Sequence, residues 1–161
     1  MSFFSKQKGY QFEGDLYKAI IMKYKLNHCF DVSHVILTED NIDKQFGKYF
    51  NGKHNILGVD ILCIINDKIY AIQCKQVSAP STSTDVKNFI DYVSFLENKI
   101  NKPIHKIWAT SMNPTKPGID YGNIFGVVWI EYHNTDILIS NVVSYLFDGY
   151  HTFDHDGDCI M

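Results

Sequence analysis

Residues 58–75, GVDILCIINDKIYAIQCK, restrict what the chain can fold into more than any other stretch. Two runs rich in Ile, Val, Tyr and Cys flank Asn66-Asp67, which reads as a β-hairpin closed by a two-residue turn. Asn-Asp stands where such turns most favour Asn-Gly. A two-residue loop sets the register: Ile65 faces Lys68, so Asp60 falls opposite Gln73 and Lys75 opposite Gly58. Alternation puts Gln73 and Lys75 on one face of the strand and Cys74 on the other. Cross-strand partners share a face, with Cβ atoms roughly 5 Å apart. Asp60, Gln73 and Lys75 therefore converge within two otherwise apolar strands. A buried charge costs several kcal/mol unless it is paired or bound to a metal. Two arrangements satisfy that demand. One is an Asp60–Lys75 ion pair with Gln73 as its hydrogen-bonding neighbour. The other is a metal-dependent phosphodiesterase site, in which a carboxylate and an amide oxygen hold Mg²⁺ and the lysine activates or positions water.

The flanking segments supply a frame for that hairpin. Residues 10–26 carry apolar side chains at three- and four-residue steps, Phe12, Leu16, Ala19 and Ile20 among them, and predict an amphipathic helix. Glu13 sits at one edge of its stripe, where it serves either as a first-turn acid favoured by the helix dipole or as a site carboxylate. Residues 29–38 alternate as a strand. After Lys75, SAPSTST forms a loop, with Ser83 or Thr84 as the N-cap of a helix over 85–100 that buries Val86, Phe89, Ile90, Val93 and Leu96. HKIWATS predicts the next strand, residues 112–123 a loop or short helix, FGVVWIE a buried strand, and 135–147 a closing helix.

The chain has 161 residues and 45% hydrophobic content, enough for one domain with a substantial core. We assign 1–147 to that domain and 148–161 to an acidic C-terminal tail. The tail's His151, His155 and aspartates do not follow the spacing of a defined metal loop. No stretch is long and apolar enough to span a membrane, and MSFFSKQKG lacks the apolar run of a signal peptide, so an intracellular protein, cytoplasmic or nuclear, is expected. Cys29, Cys63, Cys74 and Cys159 form no CxxC pair, which argues against a structural zinc site. The net charge of −3 argues against a protein that coats nucleic acid through a basic face. Much of that charge lies in the tail, at Asp148, Asp154, Asp156 and Asp158.

Gly58-Val59-Asp60, twelve residues, then Gln73-Cys74-Lys75 resembles the GxD…QxK signature of the PD-(D/E)xK nuclease superfamily, in its Mrr-like, type IV restriction endonuclease-like branch. Tyr10-Gln11-Phe12-Glu13 is similar to that family's first helix, Asp85–Phe89 to the helix after the QxK strand, and Trp108–Ser111 to the following strand, whose hydroxyl residues lie near the substrate. The resemblance runs over residues 9 to 147. Gln76 departs from it, standing where relatives often carry a basic or aromatic residue. The resemblance implies an α/β fold, the restriction-endonuclease-like three-layer sandwich with a mixed central sheet. It also implies a Mg²⁺- or Mn²⁺-dependent DNA endonuclease. Asp60 would be a direct metal ligand, with Gln73 through its side-chain oxygen and Cys74 through its backbone carbonyl. Glu13 would add a second carboxylate, directly or through water. Lys75 would orient the attacking water or stabilise developing charge. Because Gln73 replaces the acid of most members, the site would lean on Glu13. Expected partners are DNA and either a second copy of the chain or a helicase or recognition subunit in trans. Rival readings are a junction-resolvase-like enzyme of the same fold, a catalytically inactive DNA-binding or assembly module, and a structural protein with an ion-paired hairpin.

Overall fold

A computed structural model describes residues 3–28, 36–38 and 59–149, with side chains described for 11–23 and 59–149. Residues 150–161 of the expected acidic tail, residues 29–35 and the loop before Val59 lie outside that range, while Asp148 ends the last helix and Gly149 caps it. Among the described residues nine elements follow in order: α1 (Phe3–His28), β1 (Ile36–Thr38), β2 (Ile61–Ile65), β3 (Lys68–Lys75), α2 (Ser83–Ile100), β4 (Ile104–Thr110), α3 (Lys116–Ile124), β5 (Val128–Glu131) and α4 (Thr135–Asp148).

The strands form one sheet in the order β1-β2-β3-β4-β5. β1, β2 and β3 are antiparallel neighbours, while β3, β4 and β5 run parallel. Parallel strands need a crossover long enough to return the chain, and α2 and α3 provide the two crossovers here. Alternation sends the sheet's apolar residues into two cores. On one side Cys63, Ile72, Cys74 and Ile107 pack with Phe12, Leu16 and Ile20 of α1 and with Leu138, Val142 and Leu146 of α4. On the other, Leu62, Ile69, Ala71 and Trp108 pack with Val86, Phe89, Ile90, Val93 and Leu96 of α2. α3 packs on α2. The result is a three-layer α/β sandwich with a mixed central sheet, the architecture that the resemblance implied.

The hairpin register is the one the sequence dictates, with Ile65 opposite Lys68. Asn66 and Asp67 both take positive φ, 51° and 66°, as the favoured two-residue hairpin turn requires. Two boundaries move. α1 begins at Phe3 rather than near Tyr10. α2 is capped by Thr82, neither Ser83 nor Thr84: the Thr82 hydroxyl accepts from Asp85 N–H and the Asp85 carboxylate accepts from Thr82 N–H, a reciprocal capping box. Residues 116–124 are a helix, which passes close to β5 at Gly122, where a Cβ would collide with the Trp129 ring. Among the described residues no helix is long and apolar enough to cross a membrane.

Candidate active site

The C-terminal end of β3 brings the hairpin's polar residues together. The β2–β3 ladder ends at Ile61–Ile72, and Asp60 N–H donates to the Ile72 carbonyl (2.9 Å). The expected ladder pairing of Asp60 with Gln73 is thus replaced by an approach further along the strand: Asp60 Oδ2 accepts from Cys74 N–H at 2.7 Å. The half-buried carboxylate is thereby anchored against the Gln73–Lys75 stretch by a charge-assisted hydrogen bond.

Gln73 is buried, 7% exposed, and aligned with Trp108 of β4. Its Oε1 has no hydrogen-bond partner. A buried acceptor left without a donor costs about 1–3 kcal/mol, so a fold that keeps one needs a compensating reason. Lys75 is half-buried and makes no ion pair or hydrogen bond through its side chain among the described residues. The Asp60–Lys75 ion pair, the purely structural account of this cluster, is absent. Cys74 turns its side chain to the opposite core, packed with α1. The Asp60 carboxylate, an amide oxygen without a hydrogen-bond partner among the described residues and backbone carbonyls are hard oxygen donors of the kind Mg²⁺ and Mn²⁺ take. The residues present therefore fit such an ion.

Glu13 lies one residue after the fully buried Phe12, half-buried and well inside α1. The helix dipole at a first turn is therefore not its reason for being there. α1 packs against the face of β3 that carries Cys74, whereas Gln73 and Lys75 alternate with Ile69 and Ala71 on the α2 face. Glu13 is a hydrogen-bond or ionic partner of neither Gln73 nor Lys75. Among the described residues no three His, Cys, Asp or Glu side chains gather as a metal site, so a cation here would have to rest on amide and backbone oxygens as much as on carboxylates.

Thr110, the last residue of β4, and Ser111, just after it, both use their hydroxyls on the backbone. Thr110 is fully buried and its hydroxyl donates to the Met112 carbonyl (2.6 Å). Ser111 bonds to Val77 instead of facing an open site, a use that local sequence carried no signal for. Gln76 donates to the Thr135 hydroxyl at the start of α4 (2.9 Å). Lys116 is exposed and paired with Asp120 one turn on. His54 and His34 lie outside the described residues.

No protein-family model matches the chain, and no curated protein matches it. Among solved structures, a repair endonuclease from Pyrococcus abyssi is similar over 55% of this chain, at 11% identity and a TM-score of 0.39. The match spans 46% of that protein, less than half its length.

Proposed function

We propose that the chain is a metal-dependent DNA endonuclease whose site is the Asp60–Gln73–Lys75 corner. The observation that carries this reading is the buried Gln73 Oε1, which lacks a hydrogen-bond donor. It lies next to the residue whose backbone N–H holds the Asp60 carboxylate. A bound ion would satisfy that buried oxygen.

Asp60 and Gln73 Oε1 would hold the ion, with the Cys74 carbonyl as a third oxygen; Glu13, on the α1 side of the sheet, would contribute its carboxylate through water. A Mg²⁺ or Mn²⁺ ion, when bound, supplies a water of lowered pKa and offsets charge that develops on the phosphate. The Cys74 N–H would hold the Asp60 carboxylate in position through Oδ2. The Lys75 ammonium, which pairs with no carboxylate among the described residues, orients the attacking water or faces the developing negative charge. DNA is the substrate, acted on as a homodimer or together with a helicase or recognition subunit in trans.

The test is nicking of supercoiled plasmid in Mg²⁺ or Mn²⁺, with a chelator control. We expect chelator-sensitive nicking, and we expect Glu13→Ala to lose most of it. Folded protein that cuts neither linear, branched nor modified DNA would overturn the reading. That no three His, Cys, Asp or Glu side chains gather among the described residues favours, as the second reading, a catalytically inactive DNA-binding module. Such a module would bind DNA with no dependence on Asp60.

A further inference from the structure

We infer that Ser111 is a positioning residue for Lys75, a role that rests on the nuclease reading above. The parallel β3–β4 ladder runs out at Lys75 opposite Thr110. Beyond it the backbone has no regular strand partner, yet this is where the chain must present the Lys75 ammonium. Ser111 supplies the missing pairing. Its N–H donates to the Lys75 carbonyl (2.9 Å). Its hydroxyl accepts from Val77 N–H (2.9 Å) and donates to the Val77 carbonyl (3.1 Å). One hydroxyl therefore satisfies both backbone groups of Val77, which a side chain with a single donor and two acceptor lone pairs can do. Residue 76, between the two anchored positions, is fixed separately by the Gln76–Thr135 bond to α4. On the other side, Cys74 N–H is held by Asp60. Residues 74–77 are thus tied from three directions, and the Ser111 hydroxyl is the tie that a single substitution removes without disturbing the ladder.

A misplacement of a reacting group by about 1 Å costs on the order of 10²-fold in rate, so a backbone clamp next to Lys75 acts on turnover rather than on substrate capture. The test pairs amide hydrogen exchange with plasmid-nicking kinetics for wild type, Ser111→Ala and Ser111→Thr. Thr keeps the hydroxyl and serves as the conservative rescue. In Ser111→Ala we expect exchange at Val77 to accelerate about tenfold while Ile72 and Ile107 keep their protection. We expect kcat to fall on the order of 10- to 100-fold at unchanged KM for plasmid. Ser111→Thr should restore both. Unchanged exchange at Val77 overturns the clamp by itself. Lost protection with wild-type kcat overturns the positioning role. A wild-type protein that shows the exchange pattern but cuts no DNA overturns the nuclease reading, and the positioning role with it, while leaving the clamp in place.

Discussion

Gln73 concentrates the conflict between stability and use in a single side chain. Its buried Oε1 forgoes a hydrogen bond that Met, of nearly the same length, would not require. We expect Gln73→Met to raise the unfolding free energy by about 1 kcal/mol in chelator, read from urea denaturation, while abolishing metal-dependent cleavage. A destabilised Gln73→Met would mean that the amide is held by the fold for its own sake. Cys63 gives a prediction of pH dependence. Burial pushes its thiol from 9.0 up to about 12. The thiol stays protonated in the fold while the unfolded chain ionises above pH 9, so its contribution is complete below pH 9. Above that it is lost by about 1.4 kcal/mol per pH unit until the pH reaches the folded value. Denaturation midpoints measured from pH 8 to 11 should fall, and Cys63→Val should flatten part of that slope. Burial also raises the Tyr70 hydroxyl, which adds to the decline.

At the scale of elements, the hairpin is where sequence determined structure most completely. Two β-branched runs and a two-residue turn left one register that buries Ile61, Cys63 and Ile65 together, and that register is found. Its weak point is Asp67, a non-glycine residue at φ 66°. Asp67→Gly should stabilise the protein by about 0.5–1 kcal/mol in thermal unfolding, since glycine reaches that region without a Cβ penalty. Other features were less legible for stated physical reasons. Ser81, Thr82, Ser83 and Thr84 are all acceptable caps by type, and only the Asp85 carboxylate reaching back selects Thr82. Thr82→Ala should cost about 1 kcal/mol, whereas Ser83→Ala should cost little. The convergence of Asp60 with the Gln73–Lys75 stretch could be read from pairing arithmetic. The Asp60 approach to Cys74 N–H could not, because it occurs where the ladder stops. Nor could the Ser111–Val77 bonds, which join residues far apart in sequence across the exits of two strands.

For the whole molecule, the mixed sheet explains why the candidate site lies where it does. The antiparallel hairpin delivers Asp60, the parallel half delivers Gln73, Lys75 and Ser111, and both meet at the carboxyl end of β3. Crevices at the carboxyl ends of parallel strands are the usual binding places of open α/β sheets. Two well-packed cores, one on each face of the sheet, leave this polar edge as the part whose composition packing does not explain. The most direct measurement is metal-dependent nicking of supercoiled plasmid by wild type, Asp60→Ala and Lys75→Ala, with DNA binding followed in parallel. The account predicts cleavage by the wild type alone, a loss of at least about 100-fold in each variant, and DNA binding retained by Lys75→Ala. Cleavage at the wild-type rate by either folded variant would contradict it.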